Sequence, residues 1–249
     1  MAASGGNAKR ASSKGASCRP CCVTCRRDWA KLCVAGKIEA MAAAARHYQR
    51  HGVATAGPLM ESLRETASKL DAAITADVVR GLEGAASAAW FAFLGTLFAA
   101  PWSFTTRTRR PPTDPVNALL SLGYTWLLNR TNARAEALGF EINVGGLHEY
   151  HPGRPSLGCD LIEPFRVPVV DRWVVATCAQ GELQPRDFKV EESGGFRLQS
   201  GVFARTLSLW EQHVTDIGLE RQLDDSLRSL SRFLTDRDAE PSQPPVADL

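Results

Sequence analysis

The chain has 249 residues, enough for one large domain or two ordinary ones. Its formal net charge of +2 is close to neutral, so overall charge assigns no polyanionic partner. No apolar targeting segment follows the basic N-terminal residues, and the longest apolar stretch, Ala88 to Phe98, is interrupted by Gly95 and Thr96 and stopped at Pro101. It falls short of the roughly 20 residues that a membrane span needs and reads as a buried core helix, so a cytoplasmic protein is expected.

In chain order, residues 1–31 carry seven Lys or Arg against the single Asp28. Cys18, Cys21, Cys22 and Cys25 have a spacing that suggests zinc or an iron–sulfur centre. Four ligands within eight residues are cramped for a closed tetrahedral site, however. Ala, Ser, Gly and Lys surround them, so residues 1–27 read as a disordered basic leader. From Asp28 the pattern turns helical. Trp29, Leu32, Cys33, Gly36, Ile38 and Met41 predict a helix ending near Gly52. Leu63, Ala67, Leu70 and Ile74 predict a second helix over Leu59–Ile74, and a third is expected from about Thr75 to Ala99.

The clearest helix signal begins at Asp114-Pro115. Aspartate is a good N-cap, and proline suits the first helical position because its missing N–H would be unpaired there anyway. Val116, Leu119, Leu120, Gly123, Tyr124, Leu127 and Leu128 continue at helical spacing, and Gly139 closes the segment. Gly145 to Pro155 reads as a loop carrying His148 and His151. A short helix from about Ser156 should end or kink at Glu163, because Pro164 removes a helical donor and clashes with the carbonyl four residues back. Val167 to Thr177 is rich in β-branched residues yet contains Pro168, and its pattern does not separate helix from strand. Further helices are expected near Val202–Val214 and Leu219–Leu234, followed by a disordered tail over residues 236–249. The fold class expected is mainly α, with residues 28–235 as the multi-helical domain.

Four residues stand out chemically. Glu83 has Leu82 before it and eight small or apolar residues after it, in Leu82-Glu-Gly-Ala-Ala-Ser-Ala-Ala-Trp-Phe91. An ionised carboxylate in such company is costly unless paired or bound to a cation. His148 follows a Gly145-Gly146 turn, and Asp160 and Glu163 lie three residues apart, on one face of a helix. Each has an ordinary reading as a surface acid or a structural histidine. Together they form a candidate oxygen-and-imidazole site, of a chemistry that suits Mg²⁺ or Mn²⁺ and phosphoryl transfer. No phosphate-cradling G-x-x-x-x-G-K-[ST] loop and no G-x-S-x-G elbow occurs.

These segments, taken as an ordered set, resemble the universal CRISPR adaptation integrase, the Cas-one family. The blocks that carry the resemblance are Val34-Ala-Gly-Lys-Ile38, Leu82-Glu-Gly-Ala-Ala86, Arg109-Arg-Pro-Pro-Thr-Asp-Pro-Val-Asn-Ala-Leu-Leu-Ser-Leu-Gly-Tyr124, Val144-Gly-Gly-Leu-His-Glu149 and Arg154-Pro-Ser-Leu-Gly-Cys-Asp-Leu-Ile-Glu-Pro-Phe-Arg166. The resemblance implies a helical catalytic domain of a CRISPR-associated nuclease and integrase, in which a prespacer 3′-OH attacks a phosphodiester at a repeat boundary. It implies Mg²⁺ or Mn²⁺ held by Glu83, His148 and Glu163, with Asp160 as an adjacent acidic residue lining the catalytic site. Arg109 and Arg110 become expected phosphate contacts on prespacer and repeat DNA, while Asn117, Ser121 and Tyr124 are expected to pack and to hydrogen-bond between helices. The expected protein partners are a Cas-two protein and a second copy of the chain.

Three departures from the family pattern accompany the match. Only about 27 basic, cysteine-spotted residues stand where the family has a β-rich N-terminal domain that helps build its dimer, so a fragment, a truncated product or a fusion tail is expected. Trp90 stands where the family has tyrosine, and Pro164 replaces an acidic position beside Glu163. The competing reading is a truncated integrase that binds DNA or a partner without joining strands. A third is a structural helical protein whose acidic cluster is a buried hydrogen-bond network.

Overall fold

The computed structural model describes residues 23–235. Eight α-helices account for most of this span: α1 (Val23–Arg50), α2 (Ala56–Asp71), α3 (Ala76–Gly95), α4 (Pro115–Ala137), α5 (Ser156–Ile162), α6 (Arg172–Ala179), α7 (Ser200–Asp216) and α8 (Leu219–Thr235). The fold is mainly α, as the periodicity predicts. A two-stranded antiparallel hairpin of β1 (Phe188–Val190) and β2 (Phe196–Leu198), with Lys189 opposite Arg197, was not foreseen from the sequence. Its three-residue strands are too short for an alternation signal. Phe196 N–H donates to Pro112 O at 2.8 Å, docking the hairpin on the loop before α4.

Helix α1 begins at Val23, five residues before the expected start, so Cys25 is helical. Cys18, Cys21 and Cys22, like the tail beyond residue 235, lie outside the described residues. Helix α1 packs against α2, α3 and the turn that follows α5. Its small residues Ala30, Ala40, Ala44 and Ala45 are fully buried, which lets these neighbours come close on several sides. Helix α4 presents Val116, Leu119, Leu120, Gly123, Tyr124 and Leu127 to the core as its spacing predicts. At Gly123 a Cβ would lie 2.7 Å from Val170 Cγ1, so only glycine admits the Val170 and Trp173 side chains there.

The segment between α5 and α6 resolves the ambiguity of Val167–Thr177. It is helical throughout, but irregular: a 3-10 turn over Glu163–Phe165 leads into a π-helical stretch over Arg166–Asp171. Helix α5 ends at Ile162, as expected from the donor that Pro164 lacks. A smaller core forms where Trp29 and Cys33 of α1 meet Ala135, Leu157, Leu161, Leu227, Leu230 and Phe233. Helix α8 is also tied to α4 by Arg134, whose Nε donates to Asp224 Oδ1 at 2.8 Å, and by Arg130 on Glu220 at 2.6 Å.

Asp114 caps α4 as its sequence position predicts. Its carboxylate accepts from the Asn117 amide at 2.8 Å and from Asn117 Nδ2 at 2.6 Å. Asp114→Ala is therefore expected to lower stability by about 1–2 kcal/mol. A urea unfolding curve should show a lower midpoint with an unchanged slope.

Candidate active site

Four parts of the chain converge on one cluster of polar side chains. Helix α1 contributes Lys37, α3 contributes Glu83, the loop before α5 contributes His148, and α5 with its following turn contributes Asp160 and Glu163. Lys37 Nζ donates to Glu83 Oε1 and, at 2.5 Å, to Glu163 Oε2. The Lys37 and Glu163 side chains are only 4% and 3% exposed, and Glu83 is 25% exposed, so Glu83 forms the open side of the cluster. Ser87, one turn along α3, donates to Glu83 Oε1 at 2.7 Å.

Asp160 is fully buried and faces the glycine turn. Its Oδ2 accepts from the Gly146 and Leu147 amides at 2.6 and 3.0 Å, and its Oδ1 from the His148 amide at 2.9 Å. Oδ1 also lies 2.7 Å from His148 Nδ1, which orients the imidazole. The two glycines are steric requirements of this arrangement. A Cβ on Gly145 would come within 2.9 Å of Asp160 Oδ2, and one on Gly146 within 2.7 Å of Trp29 Cδ1. Arg80 of α3 reaches the same loop, donating to Leu147 O at 3.3 Å and Glu149 Oε1 at 3.1 Å.

Behind Glu163, Arg166 Nη1 donates to Oε1 at 3.0 Å, and its guanidinium stacks 4.1 Å from the Tyr124 ring centroid. Tyr124 OH and Trp90 Nε1 both donate to Asp171, the latter at 2.7 Å. Burial alone would push the Glu163 carboxyl up, but Arg166, Lys37 and His148 outweigh it and bring it down to about 2. Burial pushes the Asp171 carboxyl up despite its two hydrogen bonds. Burial, then the charges of Asp160 and Glu163, also push the neighbouring Cys33 and Cys159 thiols up. Glu163 is thus held ionised, with the His148 imidazole beside Asp160 nearby.

The structure brings Glu83 and Glu163 together on one ammonium, with Asp160 and His148 as a second unit whose imidazole acts electrostatically on Glu163. Among the described residues no three His, Cys, Asp or Glu side chains already stand in metal-binding geometry, and Lys37 occupies the space between the two glutamates. Two carboxylates and an oriented imidazole nevertheless fit a hard divalent cation by donor chemistry. Arg109 and Arg110 are exposed on the loop before α4. Arg107 instead turns inward, donating to Asn117 Oδ1 at 2.8 Å and Ser121 Oγ at 2.9 Å. Lys37, Arg166 and Asp171 were not singled out from the sequence. A charged residue among buried neighbours, the signal that marked Glu83, was equally present at Lys37 in Val34-Ala-Gly-Lys-Ile38.

A mainly α domain that gathers carboxylates and an imidazole from separate helices at one buried cationic point defines a class of polar, active-site-like centre. The particular family follows from comparison: the chain belongs to the family described as CRISPR associated protein Cas1, whose model matches residues 23–212. It is 36% identical over 187 residues to a CRISPR-associated endonuclease Cas1 of Thermus thermophilus, covering 75% of this chain and 56% of that protein. A second relative, from Thermodesulfovibrio yellowstonii, is 40% identical over 62% of this chain and 49% of its own length. The chain thus spans about half the length of these curated relatives. Among solved structures, a Cas1 protein from Thermotoga maritima shares the fold with a TM-score of 0.79 at 22% identity, covering 89% of this chain and 69% of its own. A Cas6-RT-Cas1–Cas2 complex contains a chain with a TM-score of 0.79 at 26% identity, matched over 90% of this chain and 25% of that one. No helix among the described residues is long and apolar enough to cross a membrane.

Two tests follow from the geometry. Asp160→Ala removes the acceptor of three loop amides, so hydrogen exchange should speed up at Gly146, Leu147 and His148 while α4 stays protected. The expected stability loss is about 3 kcal/mol, since hydrogen bonds to a buried charge are among the stronger ones. The second test concerns acid. Glu163 is held at about 2 in the fold against a reference of 4.5, so the unfolded chain takes up this proton first. Its stabilisation is complete above pH 4.5 and fades as the pH falls towards 2. Glu163→Gln should remove about 3 kcal/mol of the pH dependence of unfolding across that window.

Proposed function

We propose that the chain is the helical catalytic domain of a CRISPR adaptation integrase, which joins a prespacer 3′-OH to a phosphodiester at a repeat boundary. The observation that supports this reading most is the convergence of Glu83 and Glu163 on one cationic point, beside an imidazole held by Asp160. The residues that would hold Mg²⁺ or Mn²⁺ are Glu83, His148 and Glu163. When bound, the ion would offset charge developing on the scissile phosphate and favour deprotonation of the attacking hydroxyl.

The chain's own side chains prepare this. Asp160 directs the His148 ring through Nδ1, leaving Nε2 as the nitrogen that would face an ion. Arg166 holds one oxygen of Glu163 and is itself immobilised against Tyr124. Ser87 orients Glu83 from the next turn of α3. The exposed Arg109 and Arg110 are the proposed phosphate contacts on prespacer and repeat DNA, where a guanidinium can engage two phosphate oxygens at once. A Cas2 protein is the proposed partner, by analogy with the Cas1–Cas2 complex whose chain shares this fold. A second copy of the chain is the other proposed partner.

Strand joining by the purified chain on a branched DNA, with Mn²⁺ and then EDTA, tests the proposal. Joining should require the metal and fall by at least about 100-fold in Glu83→Ala, the scale on which loss of a charge-stabilising group slows transfer. A folded chain that binds the DNA but joins no strands under any metal would replace the integrase by a binding module.

A further inference from the structure

Lysine is among the residues least often buried, yet Lys37 is almost fully enclosed on α1, flanked by the buried Val34, Gly36, Ile38 and Met41. Its Nζ donates to one oxygen of each of two carboxylates that approach from different elements. An ion bonded to both glutamates would occupy this same space, at metal–oxygen distances of about 2.1 Å for Mg²⁺. The charges agree with the sterics. Lys37 and Arg166 supply two positive charges, and Glu83 and Glu163 two negative ones, so the cluster is closed as it stands. Asp160 stands apart from Lys37, its oxygens facing three amides and the His148 imidazole. A divalent ion added beside Lys37 would set a second cation against the ammonium between the same two carboxylates, and such contact between like charges is strongly disfavoured in a largely buried cluster.

We infer that Lys37 is a built-in competitor for the cation site: its ammonium and a divalent ion exclude one another at Glu83 and Glu163, and loading the ion requires Lys37 to withdraw. This rests on the reading above in which those glutamates and His148 hold the ion. Lys37 thus has two effects. It keeps two facing carboxylates together when no ion is bound, and it holds the affinity for the ion down. A long, unbranched side chain suits the role, since its ammonium can withdraw by rotamer change without moving the helix.

The test is Mn²⁺ binding to the full chain, followed by electron paramagnetic resonance of the free ion, in wild type, Lys37→Met, Lys37→Arg and Glu83→Gln. Lys37→Met should bind Mn²⁺ at least about tenfold more tightly than wild type, equivalent to about 1.4 kcal/mol. Its melting temperature should be lower than wild type without metal and should recover more on adding Mn²⁺. Lys37→Arg, which keeps the charge, should stay weak. Equal or weaker Mn²⁺ binding by Lys37→Met would overturn the inference and make Lys37 a residue that positions the ligands. Mn²⁺ binding that is absent throughout, or indifferent to Glu83→Gln, would instead remove the metal reading itself and this inference with it. Should Lys37→Met fail to fold, the wild type carries the test, because the chain has six lysines and lysine-selective isotope labelling can isolate Lys37. Its ammonium resonance must move at saturating Mg²⁺; an unmoved signal with bound ion refutes the competition.

Discussion

Lys37 sits between two carboxylates that reach it from separate parts of the chain, and much of the site follows from that ammonium. Burying any one of these charges alone would be prohibitive, while the cluster as a whole is tolerable because each charge faces its opposite. The sequence of charges runs Glu83, Lys37, Glu163, Arg166, alternating in sign from the open side of the site into the core. Removing one member strands its neighbours, at a cost of about 3–5 kcal/mol for a broken buried pair. The arrangement therefore locks α1, α3 and the turn after α5 to one another. It also explains why Glu163 stays ionised at a position where burial alone would neutralise it.

The irregular helix after α5 delivers the inner part of this line. Pro164 and Pro168 each lack the amide that a regular α-helix would use, and both lie in the stretch between α5 and α6. The chain meets the first by tightening into a 3-10 turn and the second by widening into π-helix, where the Arg172 amide reaches Val167 O five residues back. One tight turn and one wide one together keep the path helical, so α6 follows on from α5. Arg166 can then stack on Tyr124 and bond Glu163, while Asp171 receives Tyr124 and Trp90 at the far end. Departures from α-geometry of this kind recur at functional sites, and here two prolines provide a local cause. The tryptophan at position 90 keeps a donor aimed at Asp171, so its indole N–H does work that a smaller apolar residue could not.

What the sequence revealed divides along physical lines. Long helices with strong spacing, such as α4 with its aspartate cap and Pro115, were legible because the signals are local. Glu83, His148, Asp160 and Glu163 were legible as unusual residue types in their settings, and the order of the surrounding blocks carried the family resemblance. The hairpin was not, since three-residue strands carry no period. Nor was the Val167–Thr177 stretch, where β-branched residues argued for strand and packing against α1 and α4 decided for helix. Lys37 shows in the sequence only as a charge among apolar residues, not as a bridge between two carboxylates. Its partners lie 46 and 126 residues away, and no local pattern reports a charge balance that only the fold assembles.

Asp160 and Glu163 show most directly what spacing cannot convey. Three residues apart in one short stretch, they look equivalent as strings and share a helical face. The Asp160 carboxylate, however, accepts four hydrogen bonds, from three amides and one imidazole, which uses the roughly four lone-pair directions a carboxylate possesses. Nothing of it remains for an ion or a substrate; its effect is transmitted through the position of His148. Glu163 accepts from two cationic side chains, Lys37 and Arg166, and in the proposed reading an ion takes the place of the first. The glycine turn makes this division of labour: with any side chain at 145 or 146 the amides could not close on Asp160. The backbone of four loop residues thus takes up one of two neighbouring acids and leaves the other facing cationic side chains.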